Sequence, residues 1–353
     1  MKALESQLHY PHEDTLPPPG SCIEVAPGVK WLRTALPFEL DHINLWLLRD
    51  AMDGVQGWSV VDTGIHADSS KANWETIFAN ELEGLPILRV IVTHMHPDHI
   101  GLADWMCERW NAPLWISASE YLVARLACMG MDAFSGEATV NFYAAHGLND
   151  PKTARRLMIR SNYFQTLVPS VPAQYHRLQD HDCITVGDHQ WQCIAGYGHS
   201  YEHMALYCKS LGVLIGGDML LPRISTNVGV YVQEPEANAL KGFLQSIDRF
   251  LPLPEDTLVL PSHGRPFTGL HIRVQQLHAH HRERLSELLT ACTERPHSAA
   301  DALGVLFKRP LDFHQTTFAL GESVAHLHAL WRDGLVHRQR DEDGVYRFGV
   351  EAK

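Results

Sequence analysis

Residues 93–101 read THMHPDHIG, and no other stretch restricts the chain so tightly. They follow LPILRVIV, an apolar run with the length and composition of a buried strand. His94 and His96 stand two apart at the strand's end, and Asp98 and His99 follow as the chain leaves it, so one short loop can aim four metal-type side chains into a common space. Three further patterns repeat the placement: Gly198-His199-Ser200, Gly216-Gly217-Asp218 and Ser262-His263-Gly264 each follow a short apolar strand. Polar residues just past the ends of buried strands are how an α/β sheet collects its active site. Any one of the 23 histidines is more simply a surface or core residue. The joint pattern is not, and it points to a dinuclear centre of nitrogen and carboxylate ligands suited to Zn²⁺, with Mn²⁺ or Fe as alternatives.

The ordered series VDTG (Asp62), THMHPDH (His94, His96, Asp98, His99), GHS (His199), GGD (Asp218) and PSHG (His263) closely resembles the five motifs of the metallo-β-lactamase-fold hydrolases, over about residues 25–270. The resemblance implies an αββα sandwich with two divalent metal ions at one edge of two facing sheets. It implies His94, His96 and His199 on the first ion, Asp98, His99 and His263 on the second, Asp218 bridging, and Asp62 supporting the ligand loops from behind. His203, close after the GHS motif, is either a hydrogen-bonding neighbour of the site or a buried structural histidine.

Variations inside the motifs narrow the branch. Flavodiiron relatives carry Glu at the position of His96, and several exported β-lactamases carry Cys at that of Asp218. The full set is similar to that of the glyoxalase II and thioesterase-like members, although Ile100-Gly101-Leu102 replaces the Gly-Gly pair usual in glyoxalase II. The expected chemistry is attack by a hydroxide shared between the ions on the thioester or ester carbonyl of a small or medium acyl substrate, with Asp98 as the catalytic carboxylate. A nuclease cleaving RNA phosphodiesters, or a lactonase, is the alternative.

Charge bears on that choice. The net charge is −12, yet residues 271–353 are balanced, so the acidic excess lies in the part that carries the motifs. Such a surface repels a polyanion, which disfavours nucleic acid and favours a small-molecule substrate. Residues 1–20 lack the apolar core of a signal peptide, and no uncharged apolar run is long enough to span a bilayer. The seven cysteines are scattered and never form a CxxC pair. A cytoplasmic protein with reduced thiols and no membrane partner is expected.

Two regions lie outside the motifs. A helical insertion is expected at about residues 119–180 of a catalytic domain spanning 1–270. Its Tyr121, Met129, Met131, Phe134, Phe142, Tyr143, Tyr163 and Phe164 form either the insertion's own core or an apolar acyl pocket. Within it, Asp150 reads as an N-cap and Pro151 as the first helical residue. Lys152, Arg155, Arg156 and Arg160 then share one helix face, either simply solvated or gripping an anionic handle of the substrate. Residues 271–353 read as three helices and a hairpin turning at Asp343-Gly344. This resembles the winged-helix appendage of some relatives, including an endoribonuclease branch. Its neutral balance favours a lid, fold support or a dimer contact, the last of which would make a homodimer.

Overall fold

A computed structural model describes residues 5–130, 136–159 and 163–350. Met131, Phe134 and Arg160 lie outside the described residues. The strands are β1 (Ile23–Ala26), β2 (Val29–Ala35), β3 (His42–Met52), β4 (Val55–Val61), β5 (Ile87–Ile91), β6 (Leu114–Ser117), β7 (His176–Leu178), β8 (Cys183–Val186), β9 (His189–Gly196), β10 (His203–Cys208), β11 (Val213–Gly217), β12 (Leu258–Pro261), β13 (His337–Arg340) and β14 (Tyr346–Gly349). They form one seven-stranded sheet in the order β1 to β7, a five-stranded sheet in the order β12-β11-β10-β9-β8, and the β13-β14 hairpin.

Side-chain alternation stacks the two large sheets. Along β3, Ile43, Leu45 and Leu47 point into a core shared with the helices on one side, while Trp46 and Leu48 point into the core between the sheets. Along β10, Met204, Leu206 and Cys208 enter that inter-sheet core, and Ala205 and Tyr207 face the opposite helices. A strand that buries both faces reads as a continuous apolar run, so its own sequence does not say which sheet it joins. The result is helix, sheet, sheet, helix, with Trp31 and Trp46 stacked at 6.4 Å in the middle layer. The strands occupy two facing sheets because β8 to β11 pair antiparallel as successive neighbours and, among the described residues, form no ladder with the first sheet.

The insertion carries helices Ala118–Cys128, Gly136–Ala145, Pro151–Ile159 and Tyr163–Leu167. Asp150 caps the third, its Oδ1 accepting from Thr153 N at 2.9 Å. Strand β6, whose four residues are too few to show a period, precedes the insertion, which closes on β7. Beyond β12 come helices Leu270–Glu294, Ala299–Leu306 and Phe313–Arg332, then the hairpin. The last two helices start on capping boxes, Ser298 with Asp301 and Asp312 with Gln315. Leu277, Leu320, Val324 and Leu327 share one apolar cluster with Leu214 and Val259 of the second sheet. The C-terminal unit is therefore packed onto the sandwich through a common core. Among the described residues no helix is long and apolar enough to cross a membrane.

Candidate metal centre

Asp62, His94, His96, Asp98, His99, Asp218 and His263 all sit where strands β4, β5, β11 and β12 run out, and His199 sits in the turn between β9 and β10. The seven nitrogen and carboxylate donors other than Asp62 converge. One group is His94, His96, His199 and Asp218, the other Asp98, His99 and His263, and within each the donor atoms lie within 4.8 Å of one another. In the first, His94 Nε2 is 2.9 Å from His96 Nδ1 and 3.2 Å from His199 Nε2, which is 3.2 Å from Asp218 Oδ2. In the second, Asp98 Oδ2 is 3.4 Å from His263 Nε2 and 3.7 Å from His99 Nε2. Asp218 joins them, its Oδ1 lying 3.7 Å from His99 Nε2 and 3.5 Å from His263 Nε2.

His99, His199 and His263 are each aimed by a partner behind the ring. Asp62 Oδ2 meets His99 Nδ1 at 2.7 Å, and the same carboxylate accepts from Thr93 N and Thr93 Oγ1, both at 2.8 Å. It does so from the left-handed region, φ 60°, a conformation that aspartate tolerates better than most residues. His199 Nδ1 lies 2.8 Å from the carbonyl of Asn227, and His263 Nδ1 lies 2.7 Å from that of His42. Such partners fix which ring nitrogen faces the site and raise its basicity. His203 is fully buried, and its Nε2 accepts the backbone N–H of Asp218 at 3.2 Å. The motif glycine follows from this: Gly217 has φ +54°, and a Cβ there would collide with the His203 ring.

Charge explains why the cluster needs cations. Burial lowers His96 to about 3 and, with the neighbouring His99, His96 and His199, drives His94 far down, so both rings are neutral and free to ligate. Burial also opposes charge on His99, yet Asp62, Asp98 and Asp218 around it raise it to about 10. Asp98 resists its own burial and stays ionised down to about 2 beside His99 and His263. His99 Nε2 and Asp218 Oδ1 are buried with no hydrogen-bond partner among the described residues. Buried polar atoms are rarely orphaned in this way, and these two face each other across the second group. The donor set fits two divalent ions: His94, His96, His199 and Asp218 would hold one, and Asp98, His99, His263 and Asp218 the other.

Sequence reasoning missed Glu120. It is fully buried, with Oε2 accepting from Met95 N at 2.8 Å and Oε1 from Glu202 N at 2.7 Å, so one carboxylate ties the loop holding His94 and His96 to the loop after His199. Its signal was present. Glu120 shares the buried face of its helix with Ala124 and Ala127, where a carboxylate needs a built partner. Asn44 was missed as well, its Nδ2 donating to the carbonyls of Pro261 and Gly264 on either side of His263.

His96, Asp98, His199, Asp218 and His263 floor a cleft of about 890 Å³, while His94 and His99 are fully buried. Its walls come from the insertion, the loop after β2, residues 221–242 after β11 and the C-terminal helix Phe313–Arg332. Tyr143, Tyr163 and Phe164 line it, whereas Tyr121 and Phe142 are buried in cores and Met129 is exposed. Of helix Pro151–Ile159, among the described residues, Leu157 alone lines the cleft; Lys152, Arg155 and Arg156 are exposed and outside the lining. Arg156 lies over the ring of Phe313, 4.1 Å from its centre, so the basic face adjoins the start of the C-terminal helix.

Comparison with known proteins agrees with this geometry. A solved β-lactamase domain protein from Burkholderia ambifaria is 51% identical, with a TM-score of 0.93, covering 99% of this chain and 100% of that one. The probable metallo-hydrolase YqjP of Bacillus subtilis is 24% identical over 328 residues, 89% of this chain and 96% of the relative. The human acyl-coenzyme A thioesterase MBLAC2 is 23% identical over 253 residues, 68% of this chain and 79% of the relative. Residues 285–351 match the family described as the metallo-beta-lactamase-like C-terminal domain. Residues 39–263, more than half of the chain, match the metallo-beta-lactamase superfamily. With its strand-end ligands and facing sheets, the chain belongs to the metallo-β-lactamase superfamily.

Proposed function

We propose that this chain is a dinuclear metal-dependent hydrolase that cleaves a thioester or ester of a small or medium acyl group, with zinc as its metal. The observation that carries the reading is the convergence of seven donors, five of which line the floor of a largely apolar cleft. Two divalent ions bound there supply water acidified toward neutrality and a Lewis acid for a carbonyl oxygen. The residues of the chain do the rest. Asp98 is partly open to the cleft, with its side chain 20% exposed, while His263 and His99 keep it ionised. It orients the attacking water and takes its proton, then returns that proton to the leaving thiolate or alkoxide. No cysteine is among the residues lining the cleft, and none is required as a nucleophile. Tyr143, Tyr163, Phe164 and Leu157 offer the acyl chain an apolar wall that keeps bulk water out.

Lys152, Arg155, Arg156 and Arg160 are assigned to an anionic handle on the leaving group, such as a phosphopantetheine or nucleotide carrier. The support is the position of Arg156 against Phe313 beside the cleft, and a relative named as an acyl-coenzyme A thioesterase. The deciding assay sets acyl-CoA, lactoylglutathione, a lactone panel and single-stranded RNA side by side, with Asp98→Asn as control. Turnover of a thioester is expected, with KM for the CoA substrate raised several-fold in Arg155→Glu/Arg156→Glu. Unchanged KM removes the handle, and activity on RNA alone overturns the carbonyl reading.

A further inference from the structure

Above the metal floor, one carboxylate in the cleft wall has no role in the chemistry described so far. Glu322 sits on the C-terminal helix and lines the cleft with Asn227 and Tyr231. Tyr231 Oη donates to Asn227 Oδ1 at 3.1 Å, which fixes the amide so that its Nδ2 donates to Glu322 Oε2 at 3.0 Å. Gly321 makes room for this arrangement, because a Cβ there would press on the Tyr231 ring at 3.1 Å. The Asn227 bond uses Oε2, which leaves Oε1 of this cleft-lining residue for a ligand, and among the described residues no Lys, Arg or His forms an ion pair with the carboxylate. Arg309, the arginine in the cleft lining, is engaged elsewhere, 3.2 Å from Glu39 and donating to Gln315 at 2.9 Å.

Glu322 is only partly exposed, and a carboxylate with little water around it and an oxygen left open to a cleft gains from a donor that arrives there. Burial pushes Glu322 up to about 7, and only the Asn227 hydrogen bond opposes it. A purely structural helix residue at this place would be served by an apolar side chain packed against Tyr231. We propose that Glu322 is a specificity-determining residue whose free oxygen receives a hydrogen-bond-donating group, an ammonium above all, on the acyl part of the substrate. This rests on the reading of the cleft as an acyl site and names the acyl class: one that carries a polar donor at a distance from the scissile carbonyl. It also gives the C-terminal unit a direct part in substrate choice.

The test uses the full metal-loaded chain at mildly alkaline pH. Equilibrium binding is measured for pairs of N-ethyl butan-, hexan- and octanamides, each with and without an ω-amino group. Wild type should favour the amino member of the pair whose length reaches Glu322 by about tenfold, the scale of a hydrogen bond to a charged group. Glu322→Gln keeps the acceptor for Asn227 and should bring that preference to near unity without changing affinity for the plain amide; Glu322→Met replaces it if the first variant melts early. With the matching thioesters, KM for the amino substrate should rise and kcat should hold. Equal binding of every pair by wild type overturns the proposal. So does a variant that weakens both members alike, which would mark a positioning role through Asn227 on His199. Binding preference without thioester turnover would overturn the catalytic reading and leave this one standing, and turnover without preference would do the reverse.

Discussion

On the floor of the cleft, donors from the strand ends stand within hydrogen-bonding or ion-pair distance of one another, and Asp62, Thr93, His203 and Glu120 brace them. On the wall, residues from four separate segments meet: the loop after β2, the insertion, residues 221–242 after β11 and the C-terminal unit. Phe38 stacks on His314 at 6.0 Å, and Glu39 bonds to Arg309 and Gln315. The floor is short in sequence, crowded and charged. The wall is long in sequence, largely apolar and joined by contacts that water can loosen. Reaction chemistry needs donors placed to fractions of an ångström, which strand ends provide, whereas substrate choice tolerates and exploits segments that differ between relatives.

The contrast predicts where damage is greatest. Asp218→Asn should lower kcat by about a thousandfold or more, because the one carboxylate joining both donor groups is lost. Metal analysis of the purified variant should show fewer ions per chain than wild type, and full occupancy with full activity would break the comparison. Next comes the bracing layer. Asp62→Ala leaves every donor in place but frees the His99 ring and the Thr93 backbone, so metal affinity should fall by about 10- to 100-fold in a chelator competition.

The wall responds to pH instead. Burial lowers His281 to about 2, His326 to about 4 and His146 to about 3, and these rings stand behind the wall where the C-terminal helices pack. Each takes up a proton near 6.5 when the chain unfolds, but stays neutral in the fold until far lower pH. Below about 6.5 the unfolded chain therefore binds more protons, so this stabilisation is complete above that pH and is lost as pH falls through it toward 4. Thermal unfolding from pH 8 to 5 should show Tm falling on the acid side, and His281→Gln/His326→Gln should flatten that slope. The smallest effect is expected at the rim. Glu39→Ala removes an exposed ion pair and should cost less than about 1 kcal/mol in denaturant unfolding, while altering KM more than kcat.

What could be read beforehand divides along the same line. The motif residues are local: His94 to His99 lie within six positions, and the glycines beside His199 and Asp218 mark backbone that only glycine fits, since at Gly198 a Cβ would press on Phe243 at 2.9 Å. The asparagine and glutamate that hold the loops were hidden. Asn44 lies inside an apolar strand and Glu120 on a helix in the insertion, and each acts on backbone far away in the sequence. The aromatic set of the insertion was read only as a choice between core and pocket, and the fold divides it between the two.

The sequence by itself determined the donors, their order and the strand ends that carry them, because ligand spacing and strand period are set by neighbours a few residues apart. Only the tertiary structure decided which strands share a sheet, that the C-terminal unit joins the core of the sandwich, and that its helix brings Glu322 into the cleft beside Asn227. Those outcomes depend on contacts between segments about a hundred residues apart, where packing of whole faces selects the partner and no local pattern records it.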